Sequence, residues 1–257
     1  MTGGQQDDLL TDDGFLGGRL RILQPKKGFR AGVDSLLVAA AVPARAGERV
    51  FEAGTGPGVA ALCLAARAPG VRITGVERDV ASAMLADRNA MRNNLSAALR
   101  VMHGDVRQAT RHDLARWPRH GSFDHAFANP PYYEHGAVTP SPSLRRAGAS
   151  AFAPGDLEIW IKALSAMTKT RGTITVIHPA ASLPRLLAAF SRGMGDIAVK
   201  PVYPKRHEPA SRVIVQGVKG SRAPMRLLPG IVLHGEDGAS TRQAAAILRD
   251  GAALPLR

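Results

Sequence analysis

The sequence predicts an α/β fold: a mostly parallel, seven-stranded sheet that ends in an antiparallel hairpin, with helices on both faces. Three observations predict it. Strand-like and helix-like segments alternate from Arg49 onward, which is the pattern of parallel strands joined by helical crossovers. Two strand-like runs near the C-terminus, Ile197–Tyr203 and Arg212–Val218, have no helix between them and should pair antiparallel. The core material is aliphatic: 45% of the 257 residues are hydrophobic but only 5% are aromatic, so Leu, Val, Ile and Ala must fill the interior.

Residues 14–25 read as a short hairpin turning at Gly17-Gly18. Asp34 stands where a helix N-cap belongs, ahead of Ser35–Ala41, and Pro43 stops that helix. Arg49–Glu52 is the first parallel strand, and Val59–Ala68 is an Ala/Leu helix ended by Pro69-Gly70. Val71–Glu77 and Val80–Asn94 form the next strand and helix, and Leu99–His103 a third strand. Phe123–Ala128 is the fourth, followed by a helix over Asp156–Thr168. Gly172–His178 is the fifth, followed by a helix around Leu183–Phe190. The two antiparallel runs are joined by the turn-rich residues 204–209. There is no internal repeat and no low-complexity linker.

The net charge is +13, from 34 Lys and Arg against 21 Asp and Glu. Two readings fit: general arginine usage, or a polyanionic partner whose counterions clustered cations release. Between Lys200 and Arg226 the cations meet a single acid, Glu208, and Arg145-Arg146 form a second basic point. The only cysteine is Cys63, so neither an intramolecular disulfide nor a cysteine metal cluster can form, as expected in a reducing cytoplasm. No apolar run approaches the length of a membrane span, and the polar start does not read as a secretory signal. The histidines lack metal-ligand spacing, so His103, His125 and His178 read as structural and no metal is expected. Cys63 reads as core packing, and Trp117 and Trp160 as helix anchors.

The loop Glu52-Ala53-Gly54-Thr55-Gly56-Pro57-Gly58 ends the first parallel strand and opens a helix. Its glycines permit a tight turn and close approach of backbone to a ligand. A dinucleotide fingerprint would need a glycine where Val59 stands, and no Gly-Lys-Ser or Gly-Lys-Thr follows to make a phosphate loop. An acid before Gly-x-Gly-x-Gly resembles instead the motif of S-adenosylmethionine-dependent methyltransferases. That resemblance implies that Glu52 contacts the amino-acid end of the cofactor, directly or through water, beside Gly54, Gly56 and Gly58. Glutamate replaces the more usual Asp. Glu77, with Arg78 after it, ends the second strand, where a carboxylate can grip both ribose hydroxyls. Asp105, followed by Val106, ends the third, the position that in this fold accepts from the adenine amino group.

Asn129-Pro130-Pro131-Tyr132 follows the fourth strand directly. Its two prolines cannot continue the ladder, so the backbone is stiff where it leaves the sheet. The residue types suit methylation of an exocyclic amine, a poor nucleophile because its lone pair is delocalised. The Asn129 oxygen and the Pro130 carbonyl can accept the two N–H bonds and aim the lone pair at the methyl donor. Pro131 fixes the turn, and Tyr132 offers a face for stacking a planar group. These four residues are the expected catalytic segment.

With the glycine loop, this segment resembles the amino-directed N-methyltransferases of the small-domain group. Gly28-Phe29-Arg30-Ala31-Gly32-Val33-Asp34-Ser35-Leu36-Leu37 resembles the element preceding the glycine loop in the bacterial tRNA(Val) adenine-N6 methyltransferase family. The likeness runs from about Phe15 to Val218 and implies a class I, Rossmann-like methyltransferase using S-adenosylmethionine on adenine N6 in tRNA. It places Asp34 near the methionine end of the cofactor and has Arg30 help close the site. Val33 stands where the family has Thr, which leaves the target nucleotide open. The expected organisation is one structural domain: residues 1–48 a hairpin and helix over the cofactor, 49–222 the methyltransferase domain, and 223–257 an appendage. Arg30, Tyr133, Arg145, Arg146, Lys205 and Arg206 are the expected substrate-binding residues around a basic mouth. Release-factor glutamine methyltransferases share the Asn-Pro-Pro-Tyr segment but carry a helical domain where this chain has a hairpin. DNA adenine methyltransferases and a catalytically silent RNA-binding module also compete with the tRNA reading. Monomer and homodimer both stay open.

Overall fold

The computed structural model describes residues 9–27, 30–110, 117–132 and 156–257. Seven strands build the sheet that the alternation predicts: β3 (Arg49–Ala53), β4 (Arg72–Glu77), β5 (Leu99–His103), β6 (Phe123–Ala128), β7 (Thr168–Pro179), β8 (Met194–Tyr203) and β9 (Arg212–Lys219). Their order across the sheet is β8-β9-β7-β6-β3-β4-β5. The pairs β6–β7, β3–β6, β3–β4 and β4–β5 are parallel, while β9 runs antiparallel to both β7 and β8. Because β3 and β6 are neighbours at the centre, the glycine loop and the Asn-Pro-Pro-Tyr segment leave the sheet side by side. That is the switch point at which open parallel sheets bind ligands.

The helices are α1 (Val33–Ala41), α2 (Val59–Arg67), α3 (Val80–Arg92), α4 (Asp156–Met167), α5 (Leu183–Phe190) and α6 (Arg242–Leu248). Alternate residues of each strand feed two separate cores, as the period of a strand demands. Val50 packs with Leu37, Val38, Leu62 and Leu64 of α1 and α2. Phe51 and Ala53 pack with Leu157, Leu164 and Phe190 of α4 and α5 on the other face. Phe51 also meets Phe123 with ring centroids 5.4 Å apart.

The N-terminal hairpin, β1 (Leu10–Phe15) and β2 (Leu20–Pro25), is a two-stranded sheet of its own. Two asparagines one turn apart, Asn89 on α3 and Asn93 at its C-cap, hold it to the domain. Asn89 accepts from the Leu23 N–H at 2.8 Å and donates to the Leu23 carbonyl at 2.9 Å, and also donates to the Pro57 carbonyl in the glycine loop. Asn93 does the same with the N–H and carbonyl of Arg21, both at 2.9 Å. Gln24, also buried, bridges the hairpin to the entry of α1: it accepts from the Ala31 N–H and donates to Asp13.

Asp34 does not cap α1. The helix begins at Val33, Gly32 occupies the cap position without a side-chain bond, and the Asp34 carboxylate is engaged elsewhere, by Tyr132 and Arg212. Residues 223–257 are built into the molecule. β10 (Arg226–Leu227) and β11 (Ile231–Val232) pair parallel with the outer edge of β8, so the described sheet has nine strands, the seven expected and these two short additions. Thr241 caps α6, accepting from the Ala244 N–H, and α6 packs on α1. Beyond it, Leu254 and Leu256 are buried, and the Leu254 N–H donates to the Ala40 carbonyl at 2.8 Å.

Candidate active site

The glycine loop is pinned from below. Gly54 and Thr55 donate their N–H groups to the Val76 carbonyl at the end of β4, at 2.8 and 3.1 Å. Glu77 reaches across from the same strand end: its carboxylate accepts from the Gly56 N–H at 2.9 Å and from the Asp79 N–H at 2.8 Å. Gly54 has φ +70°, a left-handed conformation, and a side chain there would also strike the Trp160 indole. Trp160 on α4 therefore borders the loop, and Trp117 stands in the same way against Gly104. Both indoles were expected only to anchor helices, and nothing in the sequence spacing signals either contact.

Glu52, at the end of β3, is 3% exposed, and its Oε2 has no hydrogen-bond partner. Burial, with the negative charge of Glu77 adding to it, pushes this carboxyl well above the usual carboxylate range, against the opposing influence of the Thr55 hydroxyl. Asp105 closes the third strand end. It caps the short 3-10 turn Val106–Gln108, accepting from the Arg107 N–H, and ion-pairs with the Arg107 guanidinium at 2.6 Å. Burial tends to raise the Asp105 carboxyl, but its bonds to Arg107 outweigh that and hold it below the ordinary range. Arg78 follows Glu77, and its carbonyl lies 3.0 Å from the His103 ring.

Beside the loop, the Asn-Pro-Pro-Tyr segment faces a cleft of about 390 Å³. Arg30, Gly32, Val33 and Asp34 form one wall, Asn129 and Tyr132 another, and Pro204, Ser211, Arg212, Leu233 and His234 the third. The Tyr132 hydroxyl is 2.6 Å from Asp34 Oδ2 and 2.5 Å from Asn129 Oδ1. Arg212 Nε donates to the same Asp34 oxygen at 3.1 Å, and its guanidinium sits 4.7 Å from the centre of the Tyr132 ring. His178, at the end of β7, meets that ring edge-on at 5.4 Å. Burial is the main cause that pushes the His178 imidazole down to about 4, and the Arg212 charge acts in the same direction. Burial and the Asp34 carboxylate push the Tyr132 phenol up, so it keeps its proton.

Of the expected substrate-binding residues, Arg30 lines the cleft but is tied to the hairpin, donating to Thr11 at 2.7 Å and pairing with Asp13 at 2.7 Å. Lys205 and Arg206 follow Pro204 on the turn between β8 and β9, but neither is among the residues that line the cleft. Tyr133, Arg145 and Arg146 lie outside the described residues. One face of the Tyr132 ring, expected to be open for stacking, is already covered by Arg212. Sequence reasoning missed Arg212, Ser211, Leu233 and His234, which reach the site only through the folding of the antiparallel hairpin and the tail. Among the described residues no group of three His, Cys, Asp or Glu could hold a metal, and no helix is long and apolar enough to cross a membrane.

Residues 30–151 match the family model of the methyltransferase small domain. The stretch opens at Arg30 on the cleft wall and contains the glycine loop, all three acidic strand ends and the Asn-Pro-Pro-Tyr segment. That stretch is a methyltransferase small domain, set in the class I fold of S-adenosylmethionine-dependent methyltransferases. Across 231 residues, 87% of this chain and 92% of the relative, the methyltransferase is 26% identical to a tRNA1(Val) (adenine(37)-N6)-methyltransferase of Shewanella sp. (strain MR-4). It is 33% identical to the protein of the same name from Proteus mirabilis over 126 residues, which spans about half of each chain, 49% of this one and 48% of that one. Among solved structures, a predicted O-methyltransferase from Agrobacterium tumefaciens superposes with a TM-score of 0.72 at 24% identity, covering 86% of this chain and 98% of that one. At that identity the likeness carries the fold. The methyltransferase's own residues fit its cofactor at the strand end before the glycine loop, where Glu52 Oε2 is a buried acceptor with no hydrogen-bond partner.

Proposed function

We propose that the methyltransferase modifies an exocyclic amino group, N6 of adenine in tRNA. The observation that carries this reading is the placement of Asn129 and Tyr132 on a cleft whose other walls bring Arg30 and Arg212 to within reach of one polyanionic substrate. The Asn129 amide oxygen and the Pro130 carbonyl accept the two N–H bonds of the target amine and turn its lone pair out of conjugation. Pro131 keeps the segment stiff. Tyr132 stacks the base on the ring face that Arg212 leaves uncovered. Glu52 takes the ammonium of the methionine part, Gly54, Gly56 and Gly58 pass beneath it, Glu77 and Arg78 hold the ribose, and Asp105 with Val106 receives the adenine. S-adenosylmethionine, when bound, supplies an electrophilic methyl on sulfonium. Glu77 can take up ribose hydroxyls without releasing the loop, because each carboxylate oxygen accepts more than one bond.

A target adenine in a folded RNA must be swung out of its stack to enter the cleft. Lys205 and Arg206, which follow Pro204 of the cleft wall, neutralise phosphates around it, in keeping with the net charge of +13. The names of the Shewanella and Proteus relatives support tRNA as the substrate.

The test is transfer of labelled methyl from the cofactor to separated tRNA, rRNA, DNA and protein fractions, followed by nucleoside and amino-acid analysis. Label in N6-methyladenosine of tRNA, with binding that weakens steeply as salt is raised, is the expected result. Label confined to a glutamine amide in protein would replace adenine by a release-factor type of substrate.

A further inference from the structure

The Tyr132 hydroxyl has one proton and two oxygen atoms within bonding distance, Asp34 Oδ2 at 2.6 Å and Asn129 Oδ1 at 2.5 Å. It can donate to only one of them. Asp34 Oδ2 also accepts from Arg212 Nε at 3.1 Å, and the Arg212 guanidinium lies over the Tyr132 ring. An oxygen that already receives a guanidinium N–H is the charged, stronger acceptor of the pair. The phenolic proton therefore goes to Asp34. The Asn129 oxygen would then face the phenol's lone pairs at 2.5 Å, a repulsive contact. Turning the amide by half a rotation removes it: Nδ2 donates to the phenol oxygen, and Oδ1 points the opposite way. No other side-chain hydrogen bond holds Asn129 among the described residues.

We propose that Asp34, acting through the Tyr132 hydroxyl, is a positioning residue that fixes the Asn129 amide with its oxygen toward the cleft, and that Arg212 holds Asp34 in that role. This rests on the reading of Asn129 as the acceptor for the target amine. It also reassigns Asp34, whose carboxylate serves the substrate side of the site and not the cofactor's methionine end. The connection spans three distant parts of the chain: Asp34 in the first turn of α1, Asn129 and Tyr132 after β6, and Arg212 at the start of β9. Folding of the antiparallel hairpin is thereby required before the Asn-Pro-Pro-Tyr segment presents the correct atom.

The test is a series of Asp34→Asn, Tyr132→Phe and the double variant, with a readout that needs no turnover. In Asp34→Asn the introduced amide can donate to the phenol oxygen, which sends the phenolic proton to Asn129 and leaves an NH2 group facing the cleft. For this variant kcat should fall about 100-fold, the scale of one misplaced transition-state hydrogen bond. KM for RNA and Kd for the cofactor should stay within about threefold. Adding Asp34→Asn to Tyr132→Phe should cost nothing further, because the hydroxyl through which Asp34 acts is gone. In side-chain amide NMR of 15N-labelled protein, the Asn129 Nδ2 protons should shift in both single variants. Additive losses, or a cofactor Kd raised tenfold by Asp34→Asn alone, would overturn the proposal. An unmoved Asn129 amide would overturn it whatever the substrate. A moved amide in a protein that labels no nucleic acid would leave it standing and sink the adenine reading alone.

Discussion

The Trp160 indole occupies the space that a side chain on Gly54 would need: a Cβ placed there would lie 2.6 Å from Trp160 Cη2. The glycine loop is thus shaped from both sides, by Glu77 beneath and by a tryptophan from α4. Gly54→Ala combines a left-handed φ with this overlap, and both press on the loop proposed to pass beneath the cofactor. It should weaken cofactor affinity at least about tenfold, equivalent to about 1.4 kcal/mol, as read by calorimetry. Unchanged affinity would mean that the loop has room to give.

Asn129→Ala removes the acceptor assigned to the target amine and leaves Glu52, Glu77 and the glycine loop intact. Methyl transfer should drop at least about 100-fold while cofactor Kd changes by less than about threefold. Parallel loss of both would assign Asn129 to cofactor binding.

Glu77 holds the Gly56 N–H, and in the proposed reading the same carboxylate also receives the ribose. Glu77→Ala should raise cofactor Kd about tenfold or more, with the larger part of the loss shared by any adenosine-containing ligand. Competition with free adenosine measures this, and a variant that loses cofactor but not adenosine affinity would contradict the ribose assignment.

Two buried imidazoles make stability depend on acid. His178 is held down to about 4, chiefly by burial. His125, wedged between Thr173 at 2.7 Å and Glu48 at 3.1 Å, is also lowered, with burial outweighing the Glu48 charge. In each case the unfolded chain binds a proton at higher pH than the folded one. Stability should be full above about pH 6.5 and should fall as the pH drops toward 4. Urea midpoints between about pH 7.5 and 4.5 measure this, and His178→Phe should flatten part of the slope.

Asn89 is fully buried and satisfies both polar groups of Leu23 together with the Pro57 carbonyl. Asn89→Ala should cost about 3 kcal/mol by stranding those groups. The loss should concentrate in the hairpin, so hydrogen exchange at the Leu23 amide should rise before that of the central strands.

The parallel part of the fold was legible because each strand is a local apolar run bounded by glycine or proline, as in Arg49–Ala53 before Gly54. The Asn-Pro-Pro-Tyr segment and the three acidic strand ends could be located for the same reason: each is short and contiguous. Asp34 shows where such reading stops. Locally it has the position of a helix cap, but Tyr132 and Arg212, far along the chain, compete for its carboxylate and win. Arg212, Leu233 and His234 were illegible as site residues because their nearness to Asn129 exists only once β9 and the tail have folded onto β8. Gly54 was legible as a glycine but its partner Trp160 was not, since no sequence spacing records a contact between a loop and a helix so much later in the chain.

The asparagine pair at the C-terminal end of α3 has a consequence beyond the hairpin's stability. A two-stranded ribbon offers a bare strand edge, and such an edge can recruit a strand from another molecule. Asn89 and Asn93 present amide N–H and C=O groups at the spacing of alternate residues, to Leu23 and Arg21, so a helix impersonates the missing third strand. The ribbon's outer edge is sealed without adding a strand to it. While α3 stays docked, two copies of the chain cannot zip together through β2. Substituting both asparagines would loosen a clasp and, in the same stroke, uncover a self-adhesive seam.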